Sequence, residues 1–223
     1  MKYGQFCPIA KATEVVGEKW TLLIVRELLM GATRFNQLAR GLGSLSPALL
    51  TARLNSLVDH GLVVRRKIAG QRGHEYFPTA ACKELQPILR QLGSWGMRWA
   101  KDHLVEEDYD VDLLMLFMER SIAIDQLPGS RAIIQFTFND LKKQRLWWLV
   151  VDDDKVDVCV KNPGREVDVY FESTLATMTD VWLGHRSYAS ALKSRELKIT
   201  GPTALTRTVR SWLRCTEFER TSS

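Results

Sequence analysis

The stretch that decides the fold runs from Ser46 to Thr79 and reads SPALLTARLNSLVDHGLVVRRKIAGQRGHEYFPT. Its first part predicts a helix with defined ends. Ser46 can cap the free amides of the first turn, and Pro47 stands where a missing N–H has no consequence. Gly61 ends the helix, because glycine readily adopts the left-handed conformation found after a last helical turn.

Helical spacing divides this segment into two faces. The apolar face carries Leu50, Leu54, Leu57 and Val58. The other face is small and polar and carries Ala48, Ala52, Asn55 and Ser56, with Thr51 and Arg53 on its flanks. Small residues allow close approach to another surface, and polar side chains can reach base edges in a major groove about 12 Å wide. The pattern therefore predicts a DNA-recognition helix.

A basic hairpin follows the helix. Two extended runs, 62–68 and 74–78, are joined by a glycine-bracketed turn that holds Gln71 and Arg72. An isolated hairpin is marginal in water, so it must pack on the preceding helices while its positive tip stays free for a phosphate backbone. Helices over 8–16, 19–30 and 34–42 precede the recognition helix, and the set is a winged helix-turn-helix.

Charge supports DNA as the partner of this half. Residues 1–103 contain 15 basic and 7 acidic side chains, whereas residues 104–223 contain 16 and 19. A basic surface is the electrostatic signature of polyanion binding. The candidate DNA-contacting residues are Arg34, Ser46, Pro47, Ala48, Thr51, Ala52, Arg53, Asn55, Lys67, Gln71 and Arg72.

After the wing, Thr79 can cap a long helix that reaches about His103 and bends at Pro87. An apolar stripe follows this helix at alternating spacings of three and four residues. Its members are Leu85, Ile88, Leu92, Trp95 and Trp99. The stripe could pack on its own domain, but two tryptophans on one stripe favour a homodimer. Two recognition helices on a two-fold axis then predict an inverted-repeat operator.

The acidic run VEEDYDVD marks a domain boundary, which predicts a winged helix over 1–103 and a second domain over 111–220. The second domain reads as α+β, with a five-stranded, mostly antiparallel sheet and helices. Predicted strands cover 131–138, 145–151, 156–160, 167–172 and 197–200, and predicted helices cover 113–127, 175–183, 188–193 and 203–213.

Several functional classes lack support in the sequence. There is no catalytic motif such as GxSxG or HExxH, and the four cysteines and four histidines show no metal-ligand spacing. We therefore predict a protein that is not an enzyme and has no cofactor or metal. No N-terminal leader and no apolar run of about 20 residues is present, which predicts a cytoplasmic protein without a membrane span.

The first half resembles the HxlR family of winged-helix transcriptional regulators, which is related to the MarR regulators. The resemblance rests on CPIAKATEVVGEKWTLLIVRELLMGATRFNQL and LSPALLTARLNSLVDHGLVVRR. It implies a dimer that binds an operator, with the recognition helix in the major groove and the wing on the flanking backbone. The wing departs from the family, because AGQRGHEYF lacks the proline-rich tip of many relatives.

The second half resembles a sterol-carrier-protein-2 domain through STLATMTDVWLGHRSYASALKSRELKITGPTALTRTVRSWL. That resemblance implies an apolar tunnel for lipid-like molecules. The residues placed near such a tunnel are Phe117, Trp147, Phe171, Met178 and Trp182. A plain core role is the alternative for each, because large apolar residues are usually interior.

Three functional hypotheses follow. The first is a DNA-binding transcriptional regulator whose second domain binds an apolar small molecule. The second is a lipid carrier or storage protein with a vestigial helix-turn-helix. The third is a thiol redox sensor, because Cys7 stands just before Pro8 at a helix start, where the helix dipole favours a thiolate.

Overall fold

A computed structural model describes residues 2–100, 103–216 and 218 of the chain. The chain forms two compact units, Met1–Trp95 and Gly96–Ser223. The domain limits of 1–103 and 111–220 remain predictions, and residues 1, 101, 102, 217, 219 and 220 of those ranges lie outside the described part.

The first unit contains helices followed by a two-stranded hairpin. Its elements are α1 (Pro8–Val16), α2 (Thr21–Leu29), α3 (Phe35–Arg40), α4 (Pro47–Asp59), β1 (Val63–Lys67), β2 (His74–Pro78), α5 (Ala80–Lys83) and the start of α6 (Gln86–Trp99). This order is that of a winged helix-turn-helix, which confirms the predicted fold of this half.

Helix α4 begins and ends as the sequence predicts. The Ser46 hydroxyl accepts a hydrogen bond from the amide of Leu49 across 3.3 Å, and Gly61 has φ +71°. Both signals are local, because a capping side chain and a left-handed residue act within one turn of the helix. The apolar face is buried through Leu50, Leu54 and Leu57, so the opposite face of α4 is turned outward.

The hairpin pairs antiparallel from Val63 opposite Pro78 to Lys67 opposite His74. It is attached to the helices by the segment before α3, since the amide of Tyr76 donates to the carbonyl of Thr33 across 2.8 Å. Tyr76 is itself buried in the core of this unit. The hairpin is therefore anchored at β2, while its turn projects away.

The prediction of one continuous helix from Thr79 is wrong. Thr79 does cap a helix, accepting from the amide of Cys82, but α5 ends at Lys83 and α6 starts only at Gln86. Pro87 explains the break, because it has no N–H for the carbonyl of Lys83 and its ring would clash with that carbonyl.

The second unit is α+β. Its elements are α7 (Val111–Ser121), β3 (Arg131–Phe138), β4 (Leu146–Asp152), β5 (Lys155–Cys159), β6 (Val169–Ser173), α8 (Leu175–Trp182), α9 (Tyr188–Lys193), β7 (Leu197–Thr200), α10 (Thr203–Arg207) and α11 (Val209–Trp212). The strands form one sheet in the order β5-β4-β3-β6-β7. Only the β3–β6 pair is parallel among the described strands, which confirms the predicted five-stranded, mostly antiparallel sheet.

Aromatic side chains fill the interior of the second unit. Phe136 and Phe171 lie on adjacent strands with ring centroids 4.7 Å apart, and Trp212 meets Phe171 edge to face at 6.3 Å. All three are buried. Offset and edge-to-face contacts of this kind add to the free energy that apolar burial already supplies.

Two predicted helices of this unit have different ends. The helix predicted over 113–127 ends at Ser121, and the one predicted over 203–213 is divided into α10 and α11. The division falls at Thr208, whose hydroxyl donates to the carbonyl of Ala204 across 2.6 Å. Such back-bonding competes with the helical ladder. Within the described residues, we find no helix with the length and apolarity that a bilayer crossing requires.

Candidate nucleic-acid interface

The outward face of α4 is exposed and nearly uncharged. Its exposed members are Ser46, Pro47, Ala48, Thr51, Ala52 and Asn55. The Thr51 hydroxyl already donates to the carbonyl of Pro47 across 2.8 Å, which leaves its methyl group and oxygen lone pairs at the surface. The backbone of α4 can thus approach a partner closely, and the side-chain amide of Asn55 can both donate and accept hydrogen bonds there.

Arg53 is held away from that face. Its Nη1 forms an ion pair with Glu18, and its Nε donates to the carbonyl of Lys19 across 3.1 Å. Glu18 and Lys19 precede α2, so these contacts connect the recognition helix to the turn between the first two helices. The base-reading role of Arg53 therefore stays a prediction, and the structure gives this side chain a different set of partners.

The turn of the wing presents cations to solvent. Lys67, Gln71 and Arg72 are exposed, and neither Lys67 nor Arg72 has an ion-pair partner among residues 2–100 and 103–216. Gly70 and Gly73, with φ of +68° and +113°, form the tight turn between the strands. The wing can therefore offer two unneutralised charges to a phosphate backbone.

Two arginines on β1 were not among the residues predicted to contact DNA. Nη1 of Arg65 lies 3.5 Å from Oδ1 of Asn55 on α4, and the guanidinium of Arg66 lies 5.1 Å from the ring centre of Phe77. Both arginines are exposed. Strand alternation could have revealed them, since neighbouring residues on a strand point to opposite faces and one of the two must face the helix.

Arg34 has an acidic neighbour. Its Nε donates to Oε1 of Glu75 across 3.4 Å, and its backbone also bridges to Glu75 on β2. Arg34 remains half exposed in this pair. It therefore lies beside the hairpin rather than on the outward face of α4.

Helix α6 carries a long exposed apolar stripe. Leu85 is partly buried against the core of the first unit, but Ile88 and Leu92 are exposed, and Trp95 and Trp99 are 54% and 67% exposed. Near the start of the chain, Phe6 and Ile9 are exposed as well. Several large exposed apolar side chains on one helix are typical of an interface with another protein surface.

The five residues predicted to contact an apolar ligand fall into two groups in the second unit. Trp147, Phe171 and Met178 are buried in its core. Phe117 and Trp182 are half buried and stack with ring centroids 5.0 Å apart and planes 5° from parallel, while Nε1 of Trp182 donates to the hydroxyl of Ser121. The structure thus places three in the closed interior and two at its edge.

An open cleft of about 650 Å³ lies on the other side of the sheet. It is lined by Thr137, Lys142, Gln144, Arg145, Leu146, Trp148 and Val160. None of the five predicted ligand residues contributes to it. Trp148 and Trp147 are neighbours on β4, so their side chains point to opposite faces, one toward the cleft and one toward the core.

Cys7 immediately precedes α1 and is half buried, and its carbonyl accepts from the amide of Lys11 across 3.0 Å. Cys82 is fully buried, and burial raises the pKa of its thiol. All four cysteines are free thiols in this structure. A redox role for Cys7 stays a prediction.

An outward small-residue helix beside a basic hairpin defines a winged helix-turn-helix fold. The sequence model of the HxlR-like helix-turn-helix family matches residues 15–104. YvaP, an HTH-type transcriptional regulator of Bacillus subtilis, is 35% identical over 44% of this chain and 94% of its own length. The chain therefore belongs to the HxlR-like helix-turn-helix family.

The chain is also similar to two further proteins over its first half. An HTH-type transcriptional regulator of Mycobacterium tuberculosis is 44% identical over 89 residues, which are 40% of this chain and 56% of the relative. A solved structure, the redox regulator HypR in its oxidized form, is 31% identical over 40% of this chain and 94% of its own, with a TM-score of 0.38. The model of the SCP-2 sterol transfer family matches residues 114–214, so the second half carries a domain of that family.

Proposed function

We propose that this protein is a sequence-specific DNA-binding transcriptional regulator of the cytoplasm that performs no catalysis. The observation that carries the proposal is the exposed, small and polar face of α4 beside the cationic wing. Such a face fits the major groove, while Lys67, Arg72 and Arg65 meet phosphates on the flanking backbone. Membership of the helix-turn-helix family supports the same conclusion.

The regulator acts as a homodimer on an inverted repeat. The stripe of Ile88, Leu92, Trp95 and Trp99 supports this, because a two-fold interface needs a self-complementary apolar surface and these side chains are exposed in the single chain. A dimer then presents two copies of α4 to half-sites about one duplex turn apart.

Selection of duplexes from a random-sequence pool with the full chain tests the proposal. The selected duplex and a scrambled duplex of the same composition are compared by fluorescence anisotropy at one salt concentration. We expect the selected duplex to bind at least about 1,000-fold more tightly, as specific operators generally do. Equal affinity for both duplexes would contradict sequence-specific binding. A selected consensus without two-fold symmetry would contradict binding as a dimer.

The second domain binds an apolar small molecule in its interior. The match to the SCP-2 sterol transfer family supports this, as does the apolar composition of the core around Met178 and the half-buried Trp182. A fluorescent fatty acid is the probe. Met178→Trp should abolish its binding by filling the interior, whereas Lys142→Glu at the open cleft should not, and the opposite result would move the ligand to the cleft.

The family match of the second half also supports a lipid carrier as a second candidate function. A carrier would hold an apolar molecule without any response in DNA affinity. Native mass spectrometry of the purified full chain distinguishes the two, since it reports subunit number and any retained apolar molecule together. A monomer with bound lipid that fails to enrich any duplex favours the carrier.

A further inference from the structure

Arg53 occupies an unusual position for a basic residue on a recognition helix. At about 100° per residue, it lies roughly 150° around the helix axis from the centre of the face formed by Ala48, Thr51, Ala52 and Asn55. That angle turns its side chain toward the buried side, next to Leu50 and Leu57. When the outward face of α4 enters a DNA groove, a guanidinium in this position cannot reach the floor of that groove.

The guanidinium of Arg53 is instead occupied within the protein. One nitrogen pairs with the Glu18 carboxylate and another donates to the Lys19 carbonyl across 3.1 Å. The side chains of Arg53 and Glu18 retain only 22% and 35% of their full exposure. A planar guanidinium that spans a carboxylate and a carbonyl fixes direction as well as distance, which an ammonium group does not.

The turn between α1 and α2, which contains Glu18 and Lys19, has an unusual backbone conformation. Gly17 ends α1 in a place where an added Cβ would lie 2.5 Å from the carbonyl oxygen of Thr13. Trp20, the residue before α2, has φ +79°, a conformation that a bulky residue adopts only when its surroundings impose it. Arg53 contacts the two residues between them, Glu18 and Lys19. The turn and the recognition helix are therefore held as one unit.

We propose that Arg53 and Glu18 form a positioning pair that sets the orientation of the recognition helix, and that Arg53 does not contact DNA. The proposal rests on the proposed DNA-binding function. Glu18 is then required for DNA affinity although its charge repels phosphate. This is the reverse of what bulk electrostatics predicts for an acidic residue near a DNA-binding surface.

The test uses Glu18→Gln, Arg53→Gln and Arg53→Lys in the full chain, with Glu84→Gln as the matched charge control on an exposed residue away from α4. Affinities are measured for the selected and the scrambled duplex across a range of salt. We expect Glu18→Gln to weaken the selected complex about five- to tenfold, as loss of a partly exposed charge-assisted contact would. The affinity for the scrambled duplex should fall much less. Glu84→Gln should leave both affinities unchanged or slightly higher.

Arg53→Lys separates positioning from phosphate contact. It keeps the charge but cannot bridge both partners, so we expect a loss similar to that of Arg53→Gln with an unchanged salt slope. The double variant Glu18→Gln/Arg53→Gln should be no worse than either single variant. Tighter binding by Glu18→Gln overturns the proposal, because Glu18 would then only repel phosphate. Full retention by Arg53→Lys overturns it as well, because the charge alone would then be sufficient.

Thermal unfolding of the same variants keeps the two proposals distinguishable. Non-additive changes in unfolding temperature show that the pair couples α4 to the turn, whatever the DNA result. If the wild-type chain selects no duplex, the proposed function fails and the positioning role fails with it, while the coupling is still measured. If the wild type binds its selected duplex and all three variants equal it, the positioning proposal alone fails.

Discussion

Nη1 of Arg65 on the first strand of the wing lies 3.5 Å from Oδ1 of Asn55 on the recognition helix. The contact joins two elements with different roles in the proposed DNA complex, in which the helix enters a groove and the hairpin follows the backbone. Asn55 thereby has its carbonyl oxygen turned toward a cation and its NH₂ group left for a base or a phosphate. The recognition helix and the wing thus meet at this pair of side chains.

The first prediction separates base reading from phosphate contact. Asn55→Ala should weaken the selected duplex by about 1–3 kcal/mol and change the scrambled duplex little, because an amide that reads a base edge contributes only at the correct sequence. Arg72→Ala should weaken both duplexes alike. Its salt slope should fall by about one for each subunit, since one phosphate contact is lost.

Lys83→Ala is the control for this comparison, because Lys83 is an exposed cation of α5 outside both the wing and α4. It should leave both affinities nearly unchanged. If Asn55→Ala weakens the affinity for both duplexes equally, Asn55 does not read a base. If Arg72→Ala leaves the salt slope unchanged, the tip of the wing does not contact the DNA phosphate backbone.

The second prediction concerns the α6 stripe. Trp95→Asp should raise the dimer dissociation constant by at least about 100-fold, or about 2.8 kcal/mol, because symmetry places an unpaired carboxylate in the interface twice. Sedimentation velocity over a range of concentrations measures this. Ser94→Asp adds the same charge on the same helix but off the stripe, and it should leave the dimer intact. Equal dissociation by both variants would place the interface elsewhere.

Local signals explain what the sequence predicts well. Ser46 and Gly61 act within one helical turn, so the ends of α4 follow from neighbours in the chain. The strand Arg131–Phe138 is predicted to the residue, because it is rich in β-branched and aromatic side chains and a proline and a glycine precede it. Exposure of Trp95 and Trp99 is also consistent with the excess of apolar residues on α6.

Contacts between distant residues explain what it does not predict. Arg53 meets Glu18 and Lys19 across more than thirty residues, and no local pattern indicates which of several carboxylates a guanidinium will choose. The parallel pairing of β3 with β6 depends on a crossover that propensity does not encode. Three of the five residues assigned to a ligand, such as Phe171, have the same apolar signature as any core residue.

The third prediction concerns pH. Burial raises the pKa of the Cys82 thiol above its ordinary value of 9.0, so above about pH 9 the unfolded chain binds fewer protons than the folded one. The contribution of Cys82 to stability is therefore complete below that pH and is lost as the pH rises through the folded pKa. Cys82→Ala should show a shallower loss of unfolding free energy above pH 9 than wild type, as measured by denaturant unfolding at successive pH values.

The fourth prediction concerns thiol reactivity. Iodoacetamide at neutral pH should label Cys7 well before Cys82, because Cys82 is fully buried and its raised pKa disfavours the thiolate that reacts. Peptide mass spectrometry at successive times gives both rates within one sample. Slow, equal labelling of the two cysteines would end the redox hypothesis for Cys7. Fast labelling of Cys7 supports it only if labelling also changes the affinity for the selected duplex.

The last prediction concerns coupling between an apolar ligand and DNA. Helix α6 carries the exposed stripe and continues from the first unit into the second, with the division between units falling after Trp95. A ligand that shifts this helix would change the spacing of two recognition helices in a dimer, which a two-fold operator senses. We therefore expect the fluorescent fatty acid to change the affinity for the selected duplex by about 5- to 150-fold.

Thermodynamic reciprocity makes this expectation strict, because saturating duplex must change the affinity for the fatty acid by the same factor. Both titrations are carried out on the wild type and on Met178→Trp, whose filled interior should remove the ligand effect while leaving DNA binding intact. A fatty-acid affinity that is identical with and without saturating duplex would show that the two sites are independent. The second domain would then serve storage or carriage, and control of the operator would have to come from another signal.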